Sequence, residues 1–333
     1  MTGVQTCALP IFAVGFGAYF NDLLDNAFGV HLPFVWSNPV FAEGKFTGAY
    51  FNIPAFVMVM ALSWLLVIGI RESATVNNWI VAIKVAAILL FVFGAARAVN
   101  SANWHPFFPN GFSGVMSGSA IVFFTYVGFD AVSTAAEECK QPQRDMPRAL
   151  IATLAVCATL YASVGLILTG IAHWKTLGND APVAVALKAL GYNGIRFGVT
   201  IGALLGMTTA LLVGQYGQTR IWFAMSRDRF LPPIFSRIDE RYRTPAASTW
   251  IAGLAVAIGS GIFDIGTLGD LTNIGTLFAF VIVSIGVLVL RKTQPDRPRS
   301  FRVPLSPLLP ILSILFCGAL MMRLPTATWI RFV

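Results

Sequence analysis

IVFFTYVGFDAVSTAAEECKQPQRDMPR, residues 121–148, decides how the rest of the chain is read. It opens as an apolar run of the kind that crosses a bilayer, meets Gly128 and then Asp130 near its middle, and closes in a charged loop carrying Pro142 and Pro147. An ionisable side chain inside a span is costly to bury and is by default a functional hypothesis. Glycine beside it lets the helical ladder break, and a broken span exposes backbone groups that can hold a polar solute at mid-membrane depth. A continuous helix that packs Gly128 against a neighbour and turns Asp130 toward a polar partner accounts for the same residues. Composition does not separate the two.

Working outward, the whole chain is of the same kind. Its 333 residues are 56% hydrophobic and 11% charged, with a mean hydropathy of +0.72, whereas a soluble domain is about 25% charged. Apolar runs long enough for a bilayer core, about 20 residues each, fall at 11–24 (a partial span), 51–70, 79–96, 113–136, 150–171, 197–224, 246–263, 268–290 and 308–322. The sequence therefore reads as an all-α polytopic membrane protein, with the lipid bilayer as its solvent and no soluble domain.

The net charge of +8 does not indicate nucleic acid, because the basic residues sit in short connections between apolar runs. Alternate connections collect Arg71, then Lys140, Arg144 and Arg148, then Arg227, Arg229, Arg237, Arg241 and Arg243, then Arg291, Lys292, Arg297, Arg299 and Arg302. The others hold only scattered Lys45, Arg97, Lys175, Lys188 and Arg196. The first set is read as cytoplasmic, so the Asp130 span runs inward. In the connection 226–245, Phe230, Leu231, Ile234, Phe235 and Ile238 alternate with basic residues, which fits either a short helix on the inner membrane surface or a solvated basic loop.

Little here suggests an enzyme. Cys7, Cys139, Cys157 and Cys317 show no metal or redox spacing, and His31, His105 and His173 are scattered. There is no Gly-rich phosphate loop or nucleophile elbow, and no cofactor is expected. Gly15 with Gly17, and Gly202 with Gly206, have the small-residue character that lets helices pack closely.

The opening stretch also resembles a family. FFTYVGFDAVSTAAEE followed by KQPQRDMPRAL is similar to the sixth helix and following cytoplasmic loop of the cationic amino acid transporter branch of the amino acid, polyamine and organocation (APC) superfamily. A second matching block, YGQTRIWFAMSRDRFLPPIF at 216–235, follows in the order that family requires. The resemblance covers the chain from Ala13 onward and implies a LeuT-like inverted-repeat transporter fold. This sequence would supply helices three to eleven of it, an incomplete set that stops before a twelfth. Residues 1–11 match nothing expected there and resemble a translated sequencing adapter, so the expectation is a non-native start followed by a partial permease domain over 12–333.

The function the resemblance implies is amino acid transport by alternating access, with proton symport, in a bacterial plasma membrane. An exchanger, or a membrane scaffold or receptor subunit that no longer translocates, are the rivals. In the resemblance the substrate's amino group lies at the carbonyls of Phe124, Thr125 and Val127, freed where the helix opens around Tyr126 and Gly128. Phe124 would lie over the substrate as an aromatic lid, although packing is the commoner fate of a phenylalanine in a span. Asp130, read as the in-span acid, would hold the unwound backbone. Thr208 and Thr209, beside Gly206, would line the site or bond their own helix.

Lys84 matches the lysine of proton-coupled relatives, where its ammonium takes the place of a sodium ion. Read alone it can equally snorkel to the headgroups. A lysine that is costly to keep charged when buried can bind and release a proton during a cycle. Glu137, Glu138, Arg144 and Asp145 would face Arg220 or Arg227 at the cytoplasmic mouth. Because the substrate carboxylate would meet helix one, the 333 residues alone are expected to bind no substrate.

Overall fold

The structure is a computed structural model that describes residues 2–42, 44–69, 74–126, 128, 141–296 and 305–332. Helix dominates, as lipid demands of a backbone that must satisfy its own hydrogen bonds. In chain order the helices are α1 (Thr2–Phe28), α2 (Phe34–Ser37), α3 (Ile53–Ile68), α4 (Ala74–Ala95), α5 (Gly111–Val122) and α6 (Pro142–Ile171). Then come α7 (Pro182–Ala189), α8 (Asn193–Arg227), α9 (Ala246–Ile262), α10 (Ile265–Thr293), α11 (Leu308–Met321) and α12 (Thr326–Phe332). Every expected span has a helix among the described residues.

Length separates them. Among the described residues, four helical segments, Asn78–Ala98, Arg144–Ile171, Asn193–Arg227 and Ile265–Thr293, are long and apolar enough to cross a membrane. α11 and α12, bent by 110°, make a fifth if taken as one broken span. α3, α5 and α9 are apolar but shorter, at 10–17 residues. At about 1.5 Å per residue they fall short of a bilayer core of about 30 Å.

Local chemistry sets these limits. α3 begins where Asn52 accepts a hydrogen bond from the Ala55 amide with Pro54 in the first turn, and ends at Gly69, whose φ of +82° is the left-handed stop. The connection 226–245 forms a single 3-10 turn at Pro233–Ser236 instead of a surface helix. Pro232 and Pro233 interrupt the ladder, and the loop is tied down by Ser226 Oγ donating to the Pro232 carbonyl and Ser248 Oγ to the Phe235 carbonyl, each at 2.7 Å. The sequence reading has no counterpart for α2, α7, α12 or the small hairpin of β1 (Phe41–Ala42) and β2 (Lys45–Phe46), where Phe41 pairs with Phe46.

Large apolar side chains face outward while several polar ones are buried beside the apolar core. Gln218 and Asn273 are 0% exposed while Phe93 is 72% exposed, the distribution expected when lipid replaces water outside.

The chain divides into two compact units. In the larger (2–105 and 163–269), Leu9, Ala13, Val59, Leu62, Leu211 and Val256 form a core shared by α1, α3, α8 and α9. α1 runs without interruption through its first eleven residues, and Leu9 and Ile11 are buried. Gly198, Gly202 and Gly206 form one face of α8 against α4: a Cβ added at Gly202 would lie 2.2 Å from Ala87 Cβ. Gln215 Nε2 donates to Ser63 Oγ at 2.6 Å beneath Gly253. In the smaller unit (106–162 and 270–333), Ala120, Ile274, Leu277, Cys317 and Met321 join α5, α10 and α11.

Candidate functional site

α5 does not continue through the quoted stretch. It ends at Val122, the backbone tightens into a 3-10 turn over Phe123–Tyr126, and Gly128 follows at φ +113°, a conformation that side chains with a Cβ rarely adopt. A helix end leaves carbonyls without intrahelical partners, and in a low-dielectric interior each must be matched.

The partners are specific. The Ser119 carbonyl accepts from the Phe123 amide. The Ile121 carbonyl accepts from Asn273 Nδ2 at 2.8 Å, the Val122 carbonyl from Thr125 Oγ1 at 2.8 Å, and the Thr125 carbonyl from Tyr161 Oη at 3.0 Å. The Tyr161 ring packs edge-on against Tyr126 with centroids 5.3 Å apart, and Phe123 packs edge-on against Phe280.

This corrects one expectation. The Thr125 carbonyl is not bare: Tyr161, brought up from α6 by the ring contact, fills one of its two lone pairs. Val127, Asp130, Glu137 and Glu138 lie outside the described residues, as does the side chain of Phe124. Thr125 and Tyr126 are thus grouped with Tyr161, and Ile121 with Asn273, two partners absent from the sequence expectations. For Asn273 the available signal is an amide side chain inside the apolar run 268–290.

The other predicted residues belong to the larger unit. Thr208 Oγ1 donates to the Leu204 carbonyl at 2.7 Å, and Thr209 Oγ1 to those of Leu205 and Gly206 at 3.0 Å each, so both hydroxyls bond their own helix. Lys84 is half-buried on α4, and its aliphatic stem lies over Gly206, 3.9 Å from where a Cβ would sit. Arg220 stacks 4.3 Å from the Tyr216 ring centroid, and Arg227 lies 3.9 Å from Asp228.

Charges read as scattered prove to be joined. Arg196, only 3% exposed at the start of α8, donates from Nε to Asp22 Oδ1 at 2.9 Å and from Nη2 to both Asp22 and Asp25. Thr200 Oγ1 donates to Asp22 Oδ2 at 2.9 Å, Lys188 Nζ lies 2.5 Å from Asp25 Oδ2, and His31 Nε2 lies 2.9 Å from Asp25 Oδ1. The hydrogen bonds of Lys188 and then Arg196 hold the Asp25 carboxyl down at about 2. Asp130 is accordingly not the lone in-span acid: Asp22 lies on α1, and Asp270 lies on α10 with Thr328 Oγ1 donating to it at 3.3 Å. Cutting one partner from a buried pair such as Asp22 and Arg196 costs about 3–5 kcal/mol.

Helices long and apolar enough to cross a membrane, with charged and polar side chains buried among them, define a class of polytopic membrane protein, and the comparisons with known proteins give it a family. The profile of the amino acid permease family matches residues 4–329, and the chain belongs to that family. It is 45% identical to the branched-chain amino acid permease BcaP of Bacillus subtilis (strain 168), over 98% of this chain and 70% of the relative. It is 43% identical to the methylthioribose transporter of the same organism over the same shares. It is also 41% identical to cationic amino acid transporter 9, chloroplastic, of Arabidopsis thaliana, over 75% of this chain and 44% of the relative. The chain is a multi-pass integral membrane protein of a transporter family, not an enzyme.

Proposed function

We propose that the chain belongs to a proton-coupled amino acid symporter of the bacterial plasma membrane, with a LeuT-like inverted-repeat fold, working by alternating access, and that these 333 residues alone bind no substrate. The observation that supports this is the end of α5 at Val122, followed by a 3-10 turn over Phe123–Tyr126 and by Gly128 at φ +113°, in an apolar stretch where backbone carbonyls take side-chain partners. The substrate ammonium donates to the open lone pair of Thr125 and to the carbonyls of Phe124 and Val127. Phe124 and Tyr126 cover it, Asp130 steadies the unwound backbone, and Thr208 and Thr209 stiffen α8. Lys84 takes up and releases the coupling proton. The name of the 45% identical relative favours branched-chain side chains.

A second reading has its own support. Tyr161 and Asn273 already fill break carbonyls with neutral donors, so a neutral, hydroxyl-bearing solute would suit the site as well as a cation. The name of the methylthioribose relative points the same way.

Proteoliposomes holding the protein expressed from its complete reading frame separate the two. The amine reading predicts leucine uptake that rises when the outside is acidified and is not competed by methylthioribose. Methylthioribose uptake that leucine leaves untouched would carry the second reading, and leucine counterflow indifferent to pH would identify an exchanger.

A further inference from the structure

In the smaller unit, α10 carries a fully buried amide whose two ends are treated differently. Asn273 Nδ2 donates to the Ile121 carbonyl at 2.8 Å, while Asn273 Oδ1, also buried, accepts no hydrogen bond. Buried side-chain oxygens nearly always have a donor, so an exception needs a cause. Rotating the amide cannot supply one: it would set Oδ1 against the Ile121 carbonyl, acceptor against acceptor, and leave the nitrogen unplaced. Ile121 therefore fixes Oδ1 as an obligatory acceptor. Amide oxygen and nitrogen are about 2.3 Å apart, so Oδ1 lies within about 5 Å of the Ile121 carbonyl oxygen, in the last turn before the break.

What this oxygen lacks is a donor, and the site one turn away is the one assigned to an ammonium. An ammonium has three N–H donors arranged tetrahedrally. We propose that Asn273 is a ligand of the substrate's amino group, its Nδ2 hooked to Ile121 and its Oδ1 offered to one ammonium N–H. This rests on the reading of the break as the ammonium site and adds a side chain from α10 to it. A charge-assisted bond from an ammonium is stronger than one between neutral groups, so Asn273 contributes to discrimination between a substrate with an amine and one without.

The test compares inhibition of labelled leucine uptake by unlabelled leucine and by 4-methylpentanoate, the same skeleton without the amine, in the protein expressed from its complete reading frame. The ratio of the two half-inhibitory concentrations reports amine recognition. Asn273→Ala is expected to lower that ratio by about tenfold, through a higher KM for leucine at a nearly unchanged maximal rate. Asn273→Asp, the same shape and, as the buried neutral acid, able to donate its O–H to the Ile121 carbonyl while its other oxygen accepts, is expected to hold the ratio at the wild-type value. It carries the test alone if the alanine variant does not reach the membrane. An unchanged ratio in Asn273→Ala, or a fall in Asn273→Asp equal to that in alanine, makes Asn273 a holder of backbone or water and overturns the inference while the ammonium site stands. A wild-type ratio near one removes the ammonium site and the inference together.

Discussion

Tyr161 on α6 donates its hydroxyl to the Thr125 carbonyl at 3.0 Å, tying the 3-10 turn that follows α5 to a neighbouring helix. A bond of this kind within a membrane protein is worth about 0.6 kcal/mol on average and about 1.7 at most. Tyr161→Phe should therefore cost about 1 kcal/mol in the ligand-free protein. The vacated carbonyl should then be claimed by substrate, so leucine should raise the unfolding temperature of the variant more than that of the wild type. Equal leucine shifts in thermal unfolding would show that Thr125 does not meet the ligand.

Lys84 lies with its stem over Gly206, and the charge it carries is the one assigned to coupling. Lys84→Met keeps the length and apolar character of the stem and removes the ammonium. Acid-stimulated uptake should disappear while leucine counterflow at neutral pH persists. Uptake of the variant that still rises on acidification would detach the proton from this residue.

Asp25 sits among Lys188, Arg196 and His31, which hold its carboxyl down at about 2. A carboxyl depressed on folding adds stability that is fully present above its unfolded value of about 3.9 and is lost as pH falls through the folded value. The unfolding temperature of the wild type should drop between about pH 4 and pH 2. Lys188→Gln removes the largest contributor, so its fall over that window should be shallower and its stability at pH 6 lower. A variant with the wild-type profile would mean that the pair at 2.5 Å contributes nothing in solution.

Gly253 has no room for a side chain: a Cβ would lie 2.0 Å from Ser63 Oγ and 2.7 Å from Gln215 Nε2. Gly253→Val must separate α3, α8 and α9 or break the Gln215–Ser63 bond, and should destabilise by about 1–3 kcal/mol. Gly286→Ala, with nothing within 4 Å, is the control and should be neutral or slightly stabilising. Thermal unfolding of both in the same detergent checks the contrast.

Why some of this was legible in the sequence and some was not follows from the solvent. Lipid forces each span to be a nearly uniform apolar run, so the main helices can be placed from hydropathy, and α5 ends at Val122, six residues before Gly128. α7 and α12 are short helices with no bilayer-length signature, and the hairpin at Phe41–Phe46 is two residues per strand. Asp22, Asp25, Lys188 and Arg196 pair across more than 160 positions, which spacing cannot reveal. Thr208 and Thr209 admit both readings in the sequence, because a threonine facing a cavity and one bonding its own helix look the same there, and the structure shows the second. Tyr161 and Asn273 lie 36 and 152 positions from the carbonyls they bond, on other helices, and local sequence does not record which distant side chain meets a given backbone oxygen.

Amide hydrogen exchange in nanodiscs, read on the peptide covering 121–128 against one covering 80–90 in α4, bears on the break most directly. The account predicts fast exchange at 121–128 without ligand, slow exchange at 80–90, and slowing of the first when leucine is added but not when 4-methylpentanoate is. Exchange at 121–128 as slow as in α4, and indifferent to leucine, would mean a helix wound straight through Gly128 with no place for an amino group.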